Sequence, residues 1–231
     1  MKANYLGLHY AIAANKDLCT IYNWYLRNCT SLTLPYHNLR HTLGMMSHID
    51  SMLTYHQWIE GKNDEVNLDR DNFLVLLTSA LFHDYNHSGG RFSDETNIKN
   101  AIRGLKCCLE ETQVMGSEEE RTRFFEECKS AIEATQYPYV IEDKDLTPNQ
   151  RVLRELDILV CFYDDFLTHT FFGLMEEMKC KDIKDFAEAE TEFLRNSLRN
   201  LKLEYCKEVI ADNITEFNNV LELFKGIIKN G

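Results

Sequence analysis

Ala80-Leu81-Phe82-His83-Asp84-Tyr85-Asn86-His87-Ser88-Gly89-Gly90 is the stretch that decides the reading of this chain, because an apolar run ends there in adjacent imidazole and carboxylate groups. Residues 73–82 carry no charge and are mostly Leu, Val, Phe and Ala, which predicts a helix buried on every side. His83 and Asp84 then sit at its inner end, where an ionised carboxylate is costly unless a cation or hydrogen bonds compensate it. Both side chains are good ligands for Zn²⁺, Mn²⁺ or Fe. His87 follows four residues after His83 and three after Asp84. If the helix continues for one turn, all three share a face, and Ser88-Gly89-Gly90 stops it.

Working outward, Pro35 is placed for the first turn of a new helix, and Tyr36-His37-Asn38-Leu39-Arg40-His41 puts His37 and His41 four apart on one face of it. Leu43, Met45, Met46, Ile49, Met52 and Leu53 continue that helix as a buried stripe. On its own, a His-x-x-x-His pair fits a structural role as well as a ligand role. Residues 3–28 read as one helix before it, with Leu18, Ile21, Trp24 and Tyr25 inward, and Glu60 to Asp71 as an exposed polar loop after it. Helices over 97–112, opened at Ser93, and over 118–137 follow, then a turn-rich connection from Pro138 to Pro148. Residues 149–178 read as one helix in which Asp157 lies among Leu153, Leu156, Ile158 and Val160. That aspartate either faces outward on an amphipathic helix or has a partner inside. The chain closes with amphipathic helices over 184–203 and 204–229, the last with Tyr205, Val209, Ile214, Phe217, Val220 and Phe224 inward.

With 3 Pro, 10 Gly and no convincing alternating strand pattern, the expected fold is all-α, a helical bundle in a single domain over 1–231. The net charge of −12 excludes a general affinity for nucleic acid or anionic lipid, so an anionic small substrate needs local cations. Metal ions would supply them; Arg40, Arg91, Lys99 and Arg103 are near enough in sequence to help, but read first as ordinary solvated residues. Eight Cys without a C-x-x-C pair fit small, reduced core residues, and the apolar stretch 5–14 is too interrupted for a secretory signal. No run approaches a membrane span, and a cytoplasmic location is the expectation.

Taken together, His41, then His83-Asp84, then Asp157 form an ordered His…His-Asp…Asp set on three predicted helices. This resembles the HD superfamily of metal-dependent phosphohydrolases. Tyr36-His37-Asn38-x-x-His41, Phe82-His83-Asp84-x-x-His87-x-Gly89, Ala134-Thr135 and Asp157 are most similar to the catalytic domain of 3′,5′-cyclic nucleotide phosphodiesterases, and similar also to small bacterial HD phosphohydrolases. The resemblance implies a motif core over about 31–170 with the helices of 180–229 packed on it, and a metal site at the centre of the bundle. It implies metal ligands His41, His83, Asp84 and Asp157, and two divalent ions drawn from Mn, Zn, Fe or Mg. His37 becomes the general acid, Asp84 a bridge between ions, and His87 an orienting group at the second ion. The implied reaction is hydrolysis of a phosphate ester of a cyclic or related nucleotide by metal-activated hydroxide. The alternatives are a nucleotide monophosphatase or pyrophosphohydrolase of the same superfamily, or a silent nucleotide-binding module. Asn86 stands where the phosphodiesterases have Asp, and no counterpart of their base-clamping Gln and Phe is evident, since Gln136 and Gln150 lie in the wrong context.

Overall fold

The computed structural model describes residues 5–58, 69–161 and 166–230, and among these every regular element is helical. The order is α1 (Tyr5–Ala14), α2 (Lys16–Asn28), α3 (Leu39–Trp58), α4 (Arg70–Phe82), α5 (Asp94–Thr112), α6 (Glu118–Glu133), α7 (Pro148–Val160), α8 (Phe172–Glu177), α9 (Ile183–Asn200) and α10 (Glu204–Asn230). A 3-10 turn spans Asp143–Asp145, and π-helical turns over Phe166–Phe171 lead into α8. No helix among the described residues is long and apolar enough to cross a membrane.

α4 is the axis. Leu76, Leu77, Ala80, Leu81 and Phe82 have no exposed surface, and the helix packs on α2, α3, α5, α6 and α7. Its neighbours contribute matching stripes: Met45, Met46, Ile49 and Met52 from α3, and Val152, Leu153, Leu156 and Leu159 from α7. Full burial of one such side chain contributes about 1.5–3 kcal/mol, so α3, α4 and α7, which also contact one another, form the firmest part of the bundle. A second, smaller apolar cluster joins Tyr36 and Cys161 to Phe171, Phe186, Leu194 and Phe224.

Several boundaries differ from the sequence reading, each for a local reason. The first helix is two, because Asn15 leaves helical geometry and its Oδ1 caps α2 by accepting from the Leu18 N–H at 3.0 Å. α3 starts at Leu39 rather than at Pro35: Asn38 Oδ1 accepts from the Arg40 and His41 N–H groups at 2.8 and 3.3 Å, so His37 precedes the helix. α4 does not run through to His87. Asn86 adopts a left-handed backbone (φ 55°), and the chain turns there, before Ser88. Ser117 with Glu120 and Thr147 with Gln150 form capping boxes that open α6 and α7, and α6 ends at Glu133. The expected helix over 149–178 stops at Val160. Residues 60–68 of the loop expected over 60–71 lie outside the described residues, while Asp69 already caps α4, which begins at Arg70. In α10, Ile214 is exposed, contrary to expectation, and the side chains of Phe217 and Val220 lie outside what is described.

Candidate metal centre

The ends of the three central helices deliver four side chains to one point. His41 comes from the first turn of α3, His83 and Asp84 from the end of α4, and Asp157 from α7. His41 Nε2 lies 3.0 Å from Asp157 Oδ1, 3.2 Å from His83 Nε2 and 3.4 Å from Asp84 Oδ2. His83 Nε2 lies 3.0 Å from Asp84 Oδ2 and 3.6 Å from Asp157 Oδ1. Ligand atoms about 2.0–2.2 Å from one cation, at angles between square and tetrahedral, are spaced by roughly 2.8–3.6 Å. All five distances fall in that range.

The residues themselves fit a cation. Asp84 Oδ2 is shielded from solvent and faces only the two imidazole nitrogens, with no aligned hydrogen bond, which is costly for a carboxylate oxygen unless a cation faces it. His83 Nδ1 lies 2.8 Å from the Ala80 carbonyl, which fixes the proton on Nδ1 and leaves the Nε2 lone pair turned to the cluster. Burial disfavours the carboxylate form of both aspartates, but the surrounding histidines win, and Asp84 and Asp157 are held well below the usual carboxylate range. For His83, burial opposes the cation while Asp84 and Asp157 outweigh it, so the imidazole is pushed well up. A metal ion and a proton therefore compete for the same lone pairs. Two imidazoles and two carboxylates suit Zn, Mn or Fe better than Mg alone.

Asp84 also belongs to a second group, with His37 and His87, whose ligand atoms lie within 4.8 Å of one another. The His37 and His87 rings are 3.7 Å apart between centroids. His87 Nδ1 accepts from the Gly89 N–H at 3.2 Å, and burial and the neighbouring His37 push its pKa down to about 4, so it stays neutral. The structure thus brings His37, His41, His83, Asp84, His87 and Asp157 together as the sequence predicted, although His37 and His87 arrive on turns rather than on helical faces.

No protein-family model matches the chain, and no curated protein does either. The resemblance to HD phosphohydrolases therefore rests on the residues alone.

Sequence reasoning missed Glu177, at the end of α8. Its Oε2 lies 2.7 Å from His37 Nδ1, and its Oε1 accepts from the backbone N–H groups of Tyr36 and His37 at 2.6 and 2.8 Å. Burial opposes the carboxylate, but these partners keep the Glu177 pKa lowered. Burial likewise disfavours the His37 cation, and Asp84 with Glu177 overrides it and raises the His37 pKa. Gly173 makes the approach possible, since a Cβ there would meet the Pro35 carbonyl oxygen at 2.9 Å. Nothing in the sequence links residues 140 apart.

Asn86 is not a lost ligand. Its Oδ1 accepts from both the N–H and the hydroxyl of Thr30, at 2.7 and 2.9 Å, and so ties the end of α4 to the loop after α2. None of Arg40, Arg91, Lys99 and Arg103 lines the cavity beside the centre, and Lys99 pairs with Glu95 on the exposed face of α5. That cavity, of about 350 Å³, reaches from His37, Asp84 and Asp157 to the aromatic and apolar side chains of α9. Gln150 serves its own helix cap and Ser130, in keeping with its exclusion from a base clamp.

Proposed function

We propose that the chain is a metal-dependent phosphohydrolase that cleaves a phosphodiester of a cyclic nucleotide or a related nucleotide. The observation carrying this reading is that the two imidazole nitrogens of His41 and His83 lie 3.2 Å apart and each within 3.0–3.6 Å of both Asp84 Oδ2 and Asp157 Oδ1, next to an imidazole already oriented by a carboxylate. The four residues would hold one divalent ion, and Asp84 would help to hold a second, with His87 as an orienting group beside it and His37 left as the acid; both ions are drawn from Mn, Zn, Fe and Mg. Bound there, such ions lower the pKa of water and offset charge building on the phosphate oxygens.

The protein's own groups supply the proton. His37 uses Nδ1 to bond Glu177, which leaves Nε2 to exchange a proton with the cavity that the residue lines. Asp84 and Glu177 raise its pKa against the opposing effect of burial and so favour the protonated ring, and in that form it acts as general acid toward the leaving alkoxide. Glu177 fixes the ring plane and stabilises the imidazolium. His87, neutral and stacked on His37, holds the other side of that ring. The aromatic part of the cavity receives the organic portion of the substrate.

The test is chromatographic product analysis after Mn²⁺-loaded protein meets 3′,5′-cyclic mononucleotides, cyclic oligonucleotides and ordinary nucleotides, with Asp84→Asn as the blank. Ring-opened monophosphate or linear oligonucleotide, absent with the variant, supports a phosphodiesterase. Release of inorganic phosphate or pyrophosphate instead transfers the assignment to a monophosphatase or pyrophosphohydrolase. Tight binding without turnover points to a silent nucleotide-binding module.

A further inference from the structure

Among the polar groups of the cavity that the hydrolytic chemistry does not use, one is a buried carboxyl without a partner. Glu190 lines it from α9, is only 8% exposed, and has its Oε1 fully shielded without a hydrogen-bond partner. Burial alone pushes its carboxyl up to about 7. Among the described residues no Lys or Arg lines the cavity. Of the other acids there, Asp84 and Asp157 face the metal centre, and Asp94 accepts from the Tyr137 N–H at 2.6 Å. Among the described residues, then, none donates to Glu190 Oε1, and a buried carboxyl in that condition gains most from a ligand that brings donors.

The surroundings define the ligand further. Phe186 and Phe193 lie four residues before and three after Glu190, on the same face of α9, and both line the cavity. Tyr137 and Tyr139 line it from the connection between α6 and α7, and the Tyr137 ring is 5.5 Å from that of Phe193. Flat rings around one acceptor suit a planar heterocycle.

We propose that Glu190 determines specificity in this cavity, taking the edge of a heterocycle that offers two adjacent N–H donors, as guanine does, over an edge that offers a ring-nitrogen acceptor, as adenine does. This rests on reading the adjoining centre as a nucleotide phosphohydrolase site. Once ionised, a form that two donors favour, the side chain offers two oxygens that match two parallel N–H groups, whereas the adenine ring nitrogen would set a lone pair against a carboxylate oxygen; the preference is therefore a property of the ionised carboxyl and is read above pH 7. A site built around a hydrogen bond rejects a ligand that leaves it unmade far more strongly than an apolar pocket rejects a change of shape.

Isothermal titration calorimetry of metal-replete protein with GMP, IMP and AMP, and with inorganic phosphate as a probe of the metal centre alone, tests the assignment. GMP binds at least about tenfold more tightly than AMP, with IMP between, and Glu190→Gln, isosteric but with one donor and one acceptor, brings the two within about threefold. Equal affinities in the wild-type protein, or a GMP/AMP ratio unmoved by Glu190→Gln, overturn it. Inorganic phosphate separates the two failures. If phosphate binds only to metal-replete protein while the ratio stays near one, the Glu190 assignment alone falls; if phosphate shows no dependence on metal, the reading of the centre falls and takes this inference with it.

Discussion

Glu177 holds His37 across 140 residues of sequence: a carboxylate anchored by two backbone N–H groups contacts the imidazole at 2.7 Å. Replacing it isolates the charge from the shape. Glu177→Gln lowers kcat by about 100-fold while bound metal is retained. The sign of the pH effect follows from the linkage. The carboxylate raises the His37 pKa, the amide does not, and a general acid fails as pH rises through its pKa. The alkaline limb of the rate profile therefore moves to lower pH in the variant; an unmoved limb would remove His37 from the acid role.

Metal content is expected to follow the four-residue cluster. Asp84→Asn and His83→Ala, purified without chelator and assayed by plasma mass spectrometry, lose more affinity than the about 10–100-fold typical of residues behind the ligands. His37→Ala keeps the ion of the four-residue centre and loses rate by about 10²–10⁴.

Asn86 separates stability from metal binding. Asn86→Ala loses two hydrogen bonds to Thr30 and places a Cβ-bearing residue without a polar side chain at φ 55°, for a cost of about 1–3 kcal/mol. Denaturant melts show that loss, while metal content stays at the wild-type level. Metal loss in this variant would put Asn86 back among the residues of the site.

Glu190 sets a slope of stability against pH. Its folded carboxyl is pushed up to about 7, so between the unfolded value near 4.5 and that point the folded state binds more protons than the unfolded one. Stability is therefore present below about pH 4.5 and falls as pH rises toward 7, by roughly 3 kcal/mol for this group. Tm measured across that window falls less in Glu190→Gln than in the wild-type protein.

Two glycines respond oppositely to a methyl group. Gly173→Ala presses the Pro35 carbonyl, moves the His37 turn from Glu177, and costs about 1–3 kcal/mol. Gly226→Ala, inside α10 with nothing within 4 Å of the new Cβ, stabilises by about 0.5–1 kcal/mol. Thermal melts of the pair check both signs.

The central helices were legible because their apolar residues repeat at helical spacing; His83 and Asp84 stood out at the end of such a run, whereas His41 and Asp157 were ambiguous alone and joined them only through the ordered set that resembles the HD phosphohydrolases. What escaped notice depended on single side chains acting locally or at long range. Asn15 and Asn38 move helix ends by capping, a choice made by one amide oxygen that periodicity does not register. The stop at Val160 falls in a stretch without Pro, whose only Gly is Gly173, so composition gave no warning. Glu177 is invisible because only the tertiary fold brings it to His37. Glu190 left a trace: it sits at the inner spacing between Phe186 and Leu194, which flags an acid on the buried face of a helix otherwise read as charged and amphipathic.

α4, enclosed by five helices, ends in His83 and Asp84, whereas His37 and Glu177 sit on a turn and on a helix of six residues. Backbone amides of residues 76–82 are expected to exchange with solvent only when the whole bundle opens, and those around 36–38 and 172–178 through smaller openings. On the proposed function, ion capture and proton delivery would then run on different clocks: the grip on the ion would last as long as the folded state, and the acid would be free to adjust to each substrate.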